Sequence, residues 1–117
     1  MITLPDAAKM IDYQRYVYEL EKMHGWLDVD LVHNCFLMGE EMGELFKAIR
    51  KHNGYFDQAE QATAEREASV AAVAEELVDV FNYLMAIANR LEIDVDQAFR
   101  DKNERNQKRK WKPAKQA

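Results

Sequence analysis

Apolar residues recur at helical spacing along four stretches of the 117-residue chain. In the first, about residues 6–24, Met10, Tyr13, Val17 and Leu20 share one stripe and Gly25 follows as a stop. The second, about 30–52, carries Leu31, Cys35, Met38, Met42, Leu45 and Ile49 and ends at the turn pair Asn53-Gly54. The third, about 68–91, carries Val73, Leu77, Val80, Leu84, Ile87 and Leu91. The fourth, about 95–110, opens with Asp94 as N-cap and Gln97 three residues on, the spacing of a capping box. Between the second and third lies YFDQAEQATAERE, residues 55–67, helix-prone but with large apolar groups only at Tyr55 and Phe56. It reads as an exposed arm or a loosely attached helix. There is no strand-like alternation and no internal repeat, so the predicted fold is all-α, a four-helix bundle. Residues 1–112 form one helical domain in this reading, and 113–117 a short basic C-terminal tail.

Acidic residues interrupt the two middle helices where a core is expected. FLMGEEMGELFKAI at 36–49 places Glu40, Glu41 and Glu44 beside apolar neighbours, and AEELVDVFNYL at 74–84 does the same with Glu75, Glu76 and Asp79. Each helical residue advances by about 100°, so with Glu44 at zero Glu41 falls near about +60° while Leu45, Met38, Ile49, Met42 and Cys35 span roughly +100° to +180°. With Asp79 at zero, Glu76 again falls near about +60° and Val80, Val73, Leu84 and Leu77 span roughly +100° to +160°. Two carboxylate pairs thus sit on the shoulders of two apolar stripes. Glu40 and Glu75 point outward, Glu40 on the side of Lys47 and Lys51. Four carboxylates drawn into one partly buried pocket require cations to stay ionised. A set of hard oxygen donors with no Cys or His cluster favours Mg²⁺ or Mn²⁺ over zinc. The plainer reading is a pair of solvated acidic helix faces, since Glu is a good helix former. Matching positions on both wheels favour the metal cage.

Charge is distributed unevenly. The net of -5 divides into +6 over residues 100–117 and -11 over residues 1–99. An acidic body of that size repels a nucleic acid, so the basic end suits a small anionic ligand better. No apolar run reaches the length of about 20 residues needed for a membrane span, and MITLPDAAKM lacks the regions of a signal peptide. One cysteine, Cys35, makes no internal disulfide, which fits a reduced, cytoplasmic compartment.

The motifs E40-E41-M-G-E44 and E76-L-V-D79 resemble the EExxE…ExxD signature of the MazG-like all-α nucleoside triphosphate pyrophosphatases. GELFKAI after the first motif and VFNYLMAIANRLEIDVDQAF after the second agree with it. K102-N-E-R-N106-Q-K-R109 is similar to the Lys-x₃-Asn-x₂-Arg element on the last helix of the dCTP-pyrophosphatase-like branch. The 31 residues between Glu44 and Glu76 are a long gap for that family. The resemblance implies that Glu41, Glu44, Glu76 and Asp79 hold Mg²⁺, with Mn²⁺ as a substitute. It implies that Lys102, Asn106 and Arg109 grip a triphosphate; without it they read as the cationic, frayed end of a helix. The implied reaction is hydrolysis of a nucleoside triphosphate, a dNTP or non-canonical NTP, to nucleoside monophosphate and pyrophosphate. Glu40 or Glu41 would take the proton of the attacking water.

On the nucleobase side, Trp26 stacks on a base or plugs the core, and His24 beside it offers a hydrogen bond. Tyr83, one turn past Asp79, matches a tyrosine beside the metal ligands of related enzymes. Trp111 closes the pocket or packs a subunit contact. A unit this small with a polar pocket on its main seam has little apolar area left for its own core. Burial against further copies is expected, and the resemblance implies a homodimer or homotetramer. The competing reading is a non-catalytic helical module that binds nucleotide or a protein partner. Clustered unpaired carboxylates favour the enzyme.

Overall fold

A computed structural model describes residues 1–56 and 63–110. Its four helices are α1 (Met10–His24), α2 (Leu31–Phe56), α3 (Thr63–Arg90) and α4 (Val95–Lys108). No strand occurs among the described residues, and none of their helices is long and apolar enough to cross a membrane. The long helices α2 and α3 pack along each other, α1 packs on α3, and α4 leans on α1.

Helix ends follow local chemistry. The first helix starts at Met10 rather than near residue 6, with the Asp12 carboxylate accepting the Lys9 backbone N–H at 2.8 Å. It ends in a paired turn: Gly25 N–H donates to the Lys22 carbonyl at 3.2 Å and Trp26 N–H to Glu21 at 2.8 Å, with Gly25 at φ 74°. The same turn closes α3, where Glu92 N–H donates to Asn89 at 3.2 Å and Ile93 N–H to Ala88 at 2.9 Å. There the left-handed position is held by Glu92, at φ 54°. Asp94 caps α4 as expected, accepting from Gln97 N–H at 3.2 Å. Only that half of a capping box is present; the Gln97 amide nitrogen donates forward to Asp101 Oδ1 at 2.9 Å.

Two further predicted boundaries move. Asn53-Gly54 does not end α2, which continues to Phe56 with Gly54 in its helical run. A single interior glycine costs only about 1 kcal/mol, which a long packed helix tolerates. The third helix begins at Thr63, so the stretch TAERE belongs to it rather than to an arm. Residues 57–62 of the predicted arm, Trp111 and the basic tail lie outside the described residues.

The core is small. Among the described residues, Val17, Met85, Ala86 and Ala88 are the buried apolar ones, with Met10, Phe81 and Val95 packed against the first three. The predicted stripes are only half covered. Met38, Leu45, Val73, Val80 and Ile87 are partly buried, whereas Cys35, Met42, Ile49, Leu77, Leu84 and Leu91 are exposed. Tyr13, also exposed, meets Phe81 edge to face at 6.1 Å.

Buried polar groups tie the helices together instead. The Gln14 amide, 4% exposed, donates to the Ile93 carbonyl at 2.8 Å and to Asn89 Oδ1 at 3.2 Å, and accepts from Val95 N–H at 3.0 Å. This joins α1 to the α3–α4 corner. Arg90 does the same for the α1–α2 connection. It pairs both oxygens of Glu21, at 3.1 and 2.7 Å, and donates to the carbonyls of Val29 at 2.8 Å, Trp26 at 3.0 Å and Ala86 at 3.0 Å. Farther along, His52 on α2 meets Ser69 on α3 at 2.7 Å, and the Ser69 hydroxyl donates to the Arg66 carbonyl at 2.8 Å.

Two stability outcomes follow. Arg90→Met strands a buried carboxylate and removes one donor from each of three carbonyls, so chemical denaturation should show a loss of about 3–5 kcal/mol. Glu92→Gly relieves the left-handed strain, worth about 1 kcal/mol, and should raise the melting temperature. An unchanged or lower melting temperature would contradict the strain at Glu92.

Candidate functional site

Glu41 enters the groove between the long helices from α2, and Glu76 and Asp79 enter it from α3. One carboxylate oxygen from each lies within 4.8 Å of the others. Glu41 and Glu76 are partly buried and Asp79 is exposed. The i, i+3 spacing of Glu76 and Asp79 places both acids on one flank of α3, opposite the α2 residue.

Electrostatics mark this cluster. Burial first, then the charges of Asp79 and Glu76, a hydrogen bond with the Glu76 carboxyl and the charge of Glu44 push the Glu41 pKa up. Close carboxylates without a counter-ion resist full ionisation. Glu76 Oε2 is buried and has no hydrogen-bond partner. An orphaned carboxylate oxygen inside an acidic cluster is what a metal ion would satisfy. Ligand oxygens about 2.1 Å from Mg²⁺ lie at most ~4.2 Å apart, so the three side chains need close only slightly around an ion. The donor set fits a hard divalent cation.

Glu44 stands apart from that trio. It is exposed, and it lines a second hollow beside Glu76 while still acting on Glu41 through its charge. Glu40 is exposed and outside the trio; its charge reaches Tyr83.

On one side of the carboxylates lies a hollow of about 400 Å³ whose wall includes Leu37, Glu41, Asp79, Asn82, Tyr83 and Trp26. Tyr83 is partly buried, and burial followed by the charges of Glu41, Asp79, Glu40 and Glu21 raises its phenol pKa. Trp26 is half exposed at the rim and lies outside the buried core, with its ring stacked on His24 at 4.5 Å. His24 itself is exposed and does not line the hollow.

The fourth helix is placed elsewhere. Lys102 is exposed, Asn106 donates to Asn103 Oδ1 at 3.2 Å, and Arg109 follows the end of α4. None of the three lines either hollow beside the carboxylates.

Two residues escaped the sequence reading. Asn82 falls on the outward side of the helical wheel, yet it lines the aromatic hollow. Asn34, 3% exposed, lines the same hollow while its Nδ2 donates to the Val29 carbonyl at 3.1 Å and the Asp30 carbonyl at 2.9 Å. An asparagine in the first turn of an otherwise apolar helix face was the available signal.

No curated protein and no solved structure matches the chain significantly. The family of the MazG nucleotide pyrophosphohydrolase domain matches residues 34–112, a span that contains all three clustered carboxylates and Tyr83. With two thirds of the sequence matched and the acidic groove in place between its helices, the chain belongs to the MazG nucleotide pyrophosphohydrolase family.

Proposed function

We propose that the chain hydrolyses nucleoside triphosphates, dNTPs or non-canonical NTPs, to nucleoside monophosphate and pyrophosphate with Mg²⁺ held by Glu41, Glu76 and Asp79. The observation that carries this reading is the convergence of those three carboxylates within 4.8 Å around a buried Glu76 oxygen that lacks a partner. A bound divalent ion would neutralise phosphate oxygens and lower the pKa of a coordinated water.

The residues of the groove supply the rest. Trp26 and Tyr83 offer faces for a nucleobase and sugar in the aromatic hollow. Water attacks the α-phosphorus, the bond from that phosphorus to the bridging oxygen breaks, and pyrophosphate leaves with the oxygen. We assign the proton from the attacking water to Glu40 or Glu41, the adjacent carboxylates of the first acidic motif, of which Glu41 stands in the groove. Glu44 extends the negative face on the side away from Tyr83 and supports a second ion.

The exposed apolar faces support a homodimer or homotetramer. Phe36 on α2 is 69% exposed and Leu77 on α3 is 53% exposed, with Met42, Ile49 and Leu84 also uncovered. Large apolar side chains left uncovered on both long helices are what burial against another copy would cover. In an oligomer, Lys102, Asn106 and Arg109 are available to a neighbour's triphosphate site.

Purified protein with Mg²⁺ and a panel of dNTPs and NTPs should release pyrophosphate, and Glu76→Gln should lower kcat/KM by at least a hundredfold. No release from any nucleotide would favour the non-catalytic module. Metal-free protein offers a separate check. A carboxyl whose folded pKa is raised contributes a destabilising charge that grows as pH rises through that pKa. Glu41→Gln should therefore raise the melting temperature at neutral pH without metal, and the gain should fade below about pH 4, where model glutamate carboxyls protonate. Mg²⁺ should stabilise the wild type and leave the Glu41→Gln protein nearly unaffected.

A further inference from the structure

We propose that the second hollow beside Glu76, walled by Lys47 and Lys51, is the seat of the departing pyrophosphate. The assignment rests on the triphosphate reading above and names the residues of this chain that hold the leaving end.

The hollow measures about 350 Å³ and is formed by Glu44, Lys47, Ala48 and Lys51 of α2 facing Ala72 and Glu76 of α3. Its position is fixed by the order of residues along the groove. Going up α2, Leu37 and Glu41 line the aromatic hollow, while Glu44, Lys47 and Lys51 line this one. Coming down α3, Tyr83 and Asp79 line the first, then Glu76 and Ala72 the second. The carboxylate trio stands at the junction, with Glu41 and Asp79 on one side and Glu76 on the other. A nucleotide laid along this groove with its base by Trp26 and Tyr83 has its α-phosphate at the carboxylates. Its β- and γ-phosphates then project toward the lysines.

The charges suit that placement. Lys47 and Lys51 are exposed, and neither forms an ion pair among the described residues. They are one turn apart, about 6 Å along the axis, so two flexible ammonium groups can share one diphosphate. Three acids face the same hollow, and they must be reconciled with an anion. Glu44 and Glu76 lie at its cation end, where bound divalent ions would reverse the local charge. Glu65 lies three helical turns before Glu76, exposed and screened by water. When the bond from the α-phosphorus to the bridging oxygen breaks, negative charge builds on that oxygen and passes to the pyrophosphate. Fixed ammonium groups on that side stabilise it as it develops. In the single chain, Lys47 and Lys51 are the cationic residues lining this end of the groove, whereas Lys102 and Arg109 do not.

The test is calorimetric titration of Mg²⁺-pyrophosphate into the wild type and the Lys47→Gln/Lys51→Gln variant. Both side chains are exposed, so the variant should keep its melting temperature. It should bind pyrophosphate at least tenfold more weakly and bind a nucleoside monophosphate within twofold of wild type. Lys47→Arg/Lys51→Arg should restore pyrophosphate affinity. Equal pyrophosphate affinity in the wild type and the glutamine variant, or no binding by the wild type, overturns the assignment. The titration needs no turnover, so it separates the two readings. Lysine-dependent pyrophosphate binding in a chain that hydrolyses nothing would sink the proposed reaction alone. Hydrolysis with unchanged kcat/KM in the variant would sink the lysine site alone.

Discussion

The Arg90 guanidinium donates to both oxygens of Glu21 and to three main-chain carbonyls, at Trp26, Val29 and Ala86. A planar fork with five donors is needed for that pattern, and a lysine ammonium could not reproduce it. Glu21 is buried and Arg90 largely so, and neither partner is useful without the other. Through it the end of α1, the connection to α2 and the last turns of α3 become one rigid corner. Trp26 is held at the rim of the aromatic hollow by its own carbonyl. The starting position of α2 follows from Val29, and with it the place where Glu41 meets Asp79.

Rigidity supplied by polar contacts compensates for a meagre apolar interior. Where Glu41, Glu76 and Asp79 stand, the α2–α3 seam has charge in place of packed side chains. Upward pKa shifts at Glu41 and Tyr83 are the electrostatic cost of that choice. The network around Gln14 and Asn89 carries a load at the α3–α4 corner that aliphatic packing would carry in a larger domain. Stability and an acidic groove compete for the same two helices here. The long helices favour the groove.

Helix number and order could be read from the spacing of apolar residues, since that spacing reports backbone geometry directly, and the ends at Gly25 and Asp94 from residue type. What spacing cannot report is who covers an apolar stripe. Cys35, Met42, Ile49, Leu77 and Leu84 share the sequence signature of Met38 and Val80 but remain exposed in the single chain. The wheel placed Glu41, Glu76 and Asp79 on converging shoulders because i, i+3 pairs share a flank. It gave angles without distances, and so it did not separate Glu44 from the trio. It also sent Lys47 and Lys51 toward solvent, although a helix packed against a longer partner bounds a groove on that flank. Asn34 was invisible for a different reason: its value lies in bonds to carbonyls of the preceding turn and connection, which no periodicity encodes.

The contact between His52 and Ser69 has a consequence for which partner donates where the far ends of α2 and α3 meet. A serine hydroxyl has one proton, and Ser69 directs it to the Arg66 carbonyl, so toward His52 the oxygen can only accept. The imidazole then donates from Nδ1. A directed hydrogen bond thus joins α2 to α3 at the end of the pair far from Arg90.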